Sequence, residues 1–549
     1  MPGKADRIGF VYALTLCAAG LCGCYSNGSY SSFNNAAVFP SQQILAPQAM
    51  SSGGSVGTLP ATTQFPIYTN TSAVPSNVVI SNGDTATEPG IVANTQSAKS
   101  LPDLSHIYGR TAQSDDRDRN PIIVIPGVLG SRLVDQQSGL VVWGEFGGDS
   151  INPLSPWGAR MIALPMRQGQ KLTSLTTPSV KAAGTLDALD VRLLGIPFQI
   201  NAYRDLLNAL GVGGYRDPQT NLADVDYGNQ SYSSFQFAYD WRRDNVENAR
   251  LLHRFILEKK AYVENARRAR YQTDIEPVRF DIVAHSMGGL VARYYLEYGD
   301  ADLPDDGSVP EVTWAGAENV ARLVMIGTPN AGSLDAIANL VQGETLSRFL
   351  PRYEAAILGT MPSLYQLLPR SRQNPVISDA NRKSIDLFDP QVWWQYRWGL
   401  LDPRQFGVLE ELLAEVANPQ ERLQIAYDHL SKCLARAKAF QAALDTPASP
   451  PDGTTIHLIA GDAHPTVAQF RVDGSGALTV SAVHPGDSRV CRSSALMDER
   501  QSAGVAWSPR LVSPIKWNSV NFLFADHLGL TSDPGFTDNI LFLLLESSR

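Results

Sequence analysis

Arg279-Phe280-Asp281-Ile282-Val283-Ala284-His285-Ser286-Met287-Gly288-Gly289-Leu290-Val291-Ala292-Arg293-Tyr294-Tyr295-Leu296 passes from a short apolar strand through a run of small residues into a good helical sequence. A serine on a tight strand-to-helix turn needs small neighbours, because other backbone approaches it closely. The helix that follows directs its free N–H groups and partial positive charge at negative charge developing beside the serine. This is the context of a nucleophile elbow, with Ser286 as the nucleophile. The first glycine of the Gly-x-Ser-x-Gly pattern is replaced by Ala284, which is still small, and Gly288 holds the second. An ordinary Ser-Gly turn in an α/β protein is the plainer reading of the same residues.

Upstream, Pro121-Ile122-Ile123-Val124-Ile125-Pro126-Gly127 is a continuous apolar run closed by Pro-Gly, as in a strand buried on both faces of a parallel sheet. The expected fold is α/β-hydrolase: a mostly parallel central sheet flanked by helices, with helical cap or lid insertions. In that fold the partners follow in the order serine, acid, histidine. Of the eight histidines, His106 and His253 precede Ser286, and His285 adjoins it with its side chain directed elsewhere. His527 falls between the strand-like Val520–Phe524 and the apolar Asn539–Leu544, on a loop where the general base belongs. His429 reads as the polar face of a helix and His457 as a strand residue. For the acid, Asp462 ends the strand Ile456–Ala460, and Asp487 follows an apparent hairpin turning at Asp473-Gly474-Ser475-Gly476. Either would orient an imidazole and stabilise its cation, and pattern alone leaves both open.

The N-terminal part of the 549-residue chain reads differently. Lys4 and Arg7 precede the apolar run Ile8–Leu21, too short for a comfortable membrane span and shaped like a secretory signal. Leu21-Cys22-Gly23-Cys24 resembles a bacterial lipobox, with Cys24 as the lipidated residue; Cys22 fits worse, since Leu21 would take the small-residue position. Two acyl chains on Cys24 would anchor the protein stably at a membrane. Tyr25 in place of Asp favours the outer membrane of a bacterial cell envelope, by resemblance to enterobacterial sorting. From Tyr25 to Ser100 the charges are Asp84, Glu88 and Lys99 alone, and apolar residues lack any period, so little surface offsets the ordering entropy. The expected division is a signal peptide at 1–24, a tether at 25–116 and one enzyme domain at 117–549. Cys433 and Cys491, the two cysteines beyond that leader, are too few for a disulfide framework, and one bridge between them stays open. The net charge of −9 and the absence of any Lys/Arg run of five exclude the electrostatic footprint of nucleic-acid binding.

Several strings, in order, resemble the lecithin:cholesterol acyltransferase family. They are Val124-Ile125-Pro126-Gly127-Val128-Leu129-Gly130-Ser131, Tyr239-Asp240-Trp241-Arg242, Ala284-His285-Ser286-Met287-Gly288-Gly289, Ile326-Gly327-Thr328-Pro329-Asn330-Ala331-Gly332-Ser333 and the context of His527. The resemblance spans about Asn120 to Leu545. It favours Asp487 over Asp462 as the acid, through Gly486-Asp487-Ser488-Arg489-Val490, although the family's Asp-Gly-Thr-Val is here Asp-Ser-Arg-Val. It also implies an oxyanion hole from the N–H groups of Val128 and Met287. Tyr239-Asp240-Trp241-Arg242 is expected to be structural, with Trp241 packed and Asp240 paired to an arginine, and Thr328-Pro329-Asn330 to be a strand-end turn near the site.

By the same resemblance the stretch 333–453, helical by pattern at Val408–Val416 and Gln424–Leu444, is a cap and lid over an acyl pocket. Its Trp393-Trp394-Gln395-Tyr396-Arg397-Trp398 either meets lipid at the headgroup level or forms the cap's own core. A smaller cap is expected at 133–220. Neither contains a His/Cys/Asp cluster with metal spacing, so no catalytic metal and no cofactor are expected. The resulting expectation is a membrane-anchored serine enzyme that takes acyl groups from glycerolipid or phospholipid esters, its partners being the lipid donor and a water or alcohol acceptor. The alternative is a non-catalytic surface lipoprotein that keeps the fold to bind lipid or a partner. A peptidase or small-ester carboxylesterase fits the large aromatic cap less well.

Overall fold

The computed structural model describes residues 105–113, 119–146, 150–186, 188–193, 196–201, 203–219, 231–272, 276–304, 306–345 and 351–547. All belong to the second of the two units into which the chain divides, Thr95–Arg549. The expected signal peptide, Cys24 and most of the expected tether lie outside the described residues.

Six strands form the central sheet: β1 (Ile122–Ile125), β2 (Ser234–Gln236), β3 (Phe280–His285), β4 (Val320–Ile326), β5 (Thr455–Gly461) and, after a hairpin, β8 (Ser519–Leu523). Their order is β2-β1-β3-β4-β5-β8, and every neighbouring pair is parallel. β1 and β3 are buried at every position, as a parallel sheet covered on both faces requires. Alternate residues divide between two cores. Ile123, Ile125, Ile282 and Leu323 join the larger one, while Ile122, Val124, Val283 and Val324 join the smaller.

Helices close both faces. The larger core takes α3 (Asn245–Tyr271) and α4 (Met287–Tyr298) through Val246, Leu252, Leu290 and Tyr294. The smaller takes α1 (Ser105–Gln113), α2 (Arg204–Val212) and α6 (Pro534–Leu541) through Tyr108, Leu206, Leu210, Phe536 and Ile540. The helix Ser105–Gln113 thus falls within the stretch expected to be tether. Tyr108 and Ala112 stand four apart on one face of α1 and bury together, and two apolar residues in a polar context leave no periodic signal.

The chain runs from β1 outward to β2, then returns to the far side of β1 to form β3. In open parallel sheets such a reversal leaves a crevice at the carboxyl ends of the two central strands. The turns after β1 and β3 face each other across it.

The larger insertion is helical, including Phe406–Leu412 and α5 (Pro419–Leu444). Asn418 Oδ1 accepts the Gln420 N–H at 3.0 Å and Pro419 opens α5, a standard start signal. His429 does not lie on a polar face of that helix. It belongs to the i+4 series of buried residues Ile425, Cys433 and Ala437, and its Nε2 meets the Thr360 carbonyl at 3.0 Å. The smaller insertion is built mainly of short strands: Ser131–Asp135, Val141–Trp143 and Val180–Thr185 in one sheet, Glu145–Phe146, Ala188–Leu193 and Ile196–Asn201 in another. Leu189, Val191 and Leu193 alternate with Asp190 and Arg192, which is a strand period. Cys433 and Cys491 are both buried and unpaired. Among the described residues no helix is long and apolar enough to cross a membrane.

Candidate active site

β3 delivers Ser286 onto a turn with φ 53° and ψ −126°. A non-glycine residue there is strained by roughly 1–3 kcal/mol, and the surroundings hold it. Ser286 N–H donates to the Ile326 carbonyl at 2.8 Å, and the Ser286 carbonyl accepts the Gly289 N–H at 3.0 Å. The small neighbours have specific causes. A methyl on Gly127 would stand 2.7 Å from Ser286 Cβ, one on Gly288 2.4 Å from the Pro126 carbonyl oxygen, and one on Gly289 in direct collision with the Thr328 side chain. Ala284 faces Ile125 and Met325 inside the sheet, fully buried, where its methyl packs.

His527 Nε2 lies 2.9 Å from Ser286 Oγ, and His527 Nδ1 lies 2.8 Å from Asp487 Oδ2. The other oxygen of that carboxylate, Oδ1, accepts the N–H groups of Arg489 at 3.0 Å and Val490 at 2.7 Å. Asp487 is buried. Burial by itself would raise its carboxyl pKa. The charge and hydrogen bond of His527, with the Val490 and Arg489 N–H groups, overturn that and hold it below the ordinary carboxylate range. Asp462, the other candidate, instead pairs with Arg492.

A hairpin accounts for Asp487's position. β6 (His464–Val472) leaves the end of β5, and β7 (Leu478–Gly486) returns antiparallel to it, opposing Gly486 to His464. Gly461, the last residue of β5, then lies against the acid: a methyl there would stand 2.7 Å from Asp487 Cβ and 2.6 Å from the Ala525 carbonyl oxygen. Gly327, at φ 54° after β4, forms the floor, its would-be methyl 3.2 Å from both Asp487 Oδ2 and His527 Nδ1. Gly327 opens the Gly327-Thr328-Pro329-Asn330 string of the family resemblance, whereas Gly461 belongs to no motif, and each sits at the carboxyl end of a central strand, where such contacts arise.

The turn after β1 is pinned by three aromatic residues. Tyr239 Oη donates to the Pro126 carbonyl at 2.8 Å, Tyr203 Oη accepts the Gly127 N–H at 2.8 Å, and Trp143 Nε1 donates to the Leu129 carbonyl at 2.7 Å. Leu129 itself takes φ 64°. Gly127 thus lies alongside Ser286, with Val128 next in the turn and Met287 opening α4 after the serine. Tyr239-Asp240-Trp241-Arg242 braces this turn. Trp241 is buried, and the Arg242 guanidinium binds Asp240 and the carbonyls of Met161 and Ile162. Asn330 donates to the Ala495 carbonyl at 2.9 Å, tying the Thr328-Pro329-Asn330 turn to the segment after Asp487.

The sequence model of the lecithin:cholesterol acyltransferase family matches residues 202–477. The chain belongs to that family. Membership makes it an acyl ester hydrolase or acyltransferase on an α/β-hydrolase fold. The matched range includes Ser286 and ends before Asp487 and His527, which the tertiary structure brings to the serine. No curated protein matches the chain by sequence. Remote similarities exist among solved structures. The crystal structure of the Tle4-Tli4 complex is 15% identical with a TM-score of 0.44, covering 78% of this chain and 99% of that one. Lipase 1 from Pelosinus fermentans is 13% identical at 0.29, covering 78% and 100%. Bacillus licheniformis lipase BlEst2 in propeptide form is 11% identical at 0.29, covering 79% and 52%. Among the described residues no three His, Cys, Asp or Glu side chains gather as a metal site.

Proposed function

We propose that this family member transfers acyl groups from glycerolipid or phospholipid esters through an acyl-Ser286 intermediate. The observation that carries the reading is the unbroken relay from Ser286 Oγ through His527, at 2.9 Å and 2.8 Å, to Asp487. His527 Nε2 takes the Ser286 proton as Oγ attacks the ester carbonyl carbon, and the carbonyl π electrons move onto its oxygen. That oxyanion accepts from the N–H groups of Val128 and Met287, each such donor contributing about 3–4 kcal/mol. Asp487 stabilises the imidazolium. Collapse expels the alcohol, which leaves with the proton from His527 and leaves the acyl group on Ser286. Water or a second alcohol then gives its proton to His527, attacks the acyl carbon and returns Ser286.

Exposed apolar side chains beside the relay favour a lipid substrate: Phe524 and Leu528, which bracket His527, are 86% and 48% exposed. The leader supports attachment through lipidated Cys24, outside the described residues, at the outer membrane of a bacterial envelope. Labelling of the wild type by a fluorophosphonate, lost in Ser286→Ala, tests the nucleophile, and an unlabelled wild type overturns the reading. Labelled phospholipid with and without sterol or diacylglycerol separates hydrolysis from transfer. A palmitate analogue should mark the wild type in cells, and label surviving Cys24→Ala would remove the anchor.

A further inference from the structure

His285 and Tyr203 are buried beside Ser286 and stand outside the side-chain hydrogen bonds of Ser286, His527 and Asp487, yet each of their polar side-chain atoms has a partner. Tyr203 Oη lies 2.8 Å from Gly127 N and 3.0 Å from His285 Nδ1, and His285 Nε2 lies 3.0 Å from the main-chain oxygen of His527. The proton positions follow from what each end is able to do. Gly127 N–H only donates, so Tyr203 Oη accepts there and gives its own proton to Nδ1. The His527 carbonyl only accepts, so Nε2 of His285 carries the ring proton. One directed chain results: Gly127 N–H to Tyr203 O–H to His285, and from His285 N–H to the carbonyl of His527.

Its two ends are the two parts of the proposed mechanism that must agree in space. Gly127 precedes Val128 in the turn after β1, while His527 sits on the loop after β8. The ring contacts are close as well, with centroids 5.5 Å apart for Tyr203 and His285 and 4.8 Å for His285 and His527. Gly130 leaves room for the phenol, since a methyl there would stand 2.8 Å from Tyr203 Oη. Burial, followed by the neighbouring His527, pushes the His285 imidazole down to about 3, which keeps it neutral as the chain requires.

We propose that Tyr203 and His285 are positioning residues that register the oxyanion-binding turn to the loop of the general base through this buried chain. The proposal rests on the acyl-serine reading above. A displacement of about 1 Å between reacting groups costs on the order of 100-fold in rate, so two loops from opposite ends of the chain need a common reference.

The test is a double-mutant cycle. Tyr203→Phe removes only the hydroxyl. His285→Gln keeps an N–H able to reach toward the His527 carbonyl but, with its amide so turned, has no acceptor at the Nδ1 position that Tyr203 addresses. On a soluble chromogenic ester each variant is expected to lower kcat roughly 10- to 100-fold with KM within about threefold, consistent with lost registration. Because both cut the same link, the double variant should be no slower than the slower single. Additive losses, or a loss confined to KM, would overturn the proposal. Hydrogen exchange gives a readout independent of turnover: Tyr203→Phe should speed exchange in peptides covering both 122–131 and 524–530. Unchanged exchange at 524–530 overturns the coupling, whereas a wild type inert to esters and fluorophosphonate overturns the acyl-serine reading instead. If Tyr203→Phe does not fold, kcat and exchange in His285→Gln decide.

Discussion

Asp487 holds His527 twice: its Oδ2 lies 2.8 Å from His527 Nδ1, and its main-chain carbonyl accepts the His527 N–H at 2.8 Å. The main-chain clamp does not depend on the carboxylate's charge. Asp487→Asn should therefore fold normally and lose function by electrostatics and tautomer alone, with kcat down about 10³- to 10⁴-fold. Asp462→Asn, at a surface pair with Arg492, should change kcat less than about threefold, as exposed pairs contribute ~0–1 kcal/mol. Equal losses in the two variants would reject the assignment of the acid.

Acid should destabilise the protein well above the carboxylate range. Burial pushes the imidazole of His285 down to about 3, and those of His429 and His457 to about 4, from an ordinary 6.5. Between those values the unfolded chain binds protons that the folded chain refuses, so stability is complete above about pH 6.5 and falls as pH drops. Each histidine contributes a slope of ~1.4 kcal/mol per pH unit. Asp487 adds to this further down: its depressed carboxyl stabilises above the unfolded value of 3.8 and loses that as pH falls through the folded value. Urea unfolding between pH 7 and 5 measures the slope. His429→Gln should reduce it by one histidine's share, and a slope equal to that of wild type would contradict this account.

Ser488 stands where the family pattern has glycine, and it adopts φ 76°. An L side chain in that region costs about 1–2 kcal/mol, partly offset by the entropy that glycine loses on folding. Ser488→Gly is expected to raise stability by about 0.5–1 kcal/mol with kcat/KM unchanged, and Ser488→Val to lower it. A lower Tm for the glycine variant would show that the hydroxyl matters more than the backbone.

The cap tryptophans divide. Trp393 and Trp398 are buried and donate to the carbonyls of Leu387 at 2.8 Å and Gly476 at 2.7 Å, while Trp394 is 50% exposed. Trp393→Ala should cost about 3–5 kcal/mol of stability. Trp394→Ala should cost less than about 0.5 kcal/mol and reduce turnover on phospholipid vesicles more than on a soluble ester. Equal effects on both substrates would remove a role for Trp394 at the lipid surface.

Much of the fold was legible because its signals are local. The unbroken apolar run Ile122–Ile125 and the largely apolar Phe280–Ala284, interrupted only by Asp281, mark strands covered on both faces, and the small residues around Ser286 mark a turn against which other backbone packs. The terminal position of His527, after the last strand, followed from element order. Other features left no local trace. His429 looks polar in sequence but continues a buried i+4 series, Tyr203 is one tyrosine among nineteen, and the helix Ser105–Gln113 buries only a few side chains.

What the sequence by itself determined is the two buried strands that precede the serine, the serine on its turn and the family to which the chain belongs, since each depends on residues near one another in the chain. Pattern alone left Asp462 and Asp487 open and the family resemblance favoured Asp487; which of the two lies against His527 is a matter of tertiary structure. Each directly follows a strand, but the β6–β7 hairpin carries Asp487 back over Gly461 to His527, while Asp462 pairs with Arg492. That choice, like the chain from Gly127 to His527, is set by distances between segments far apart in sequence, and no periodicity encodes those.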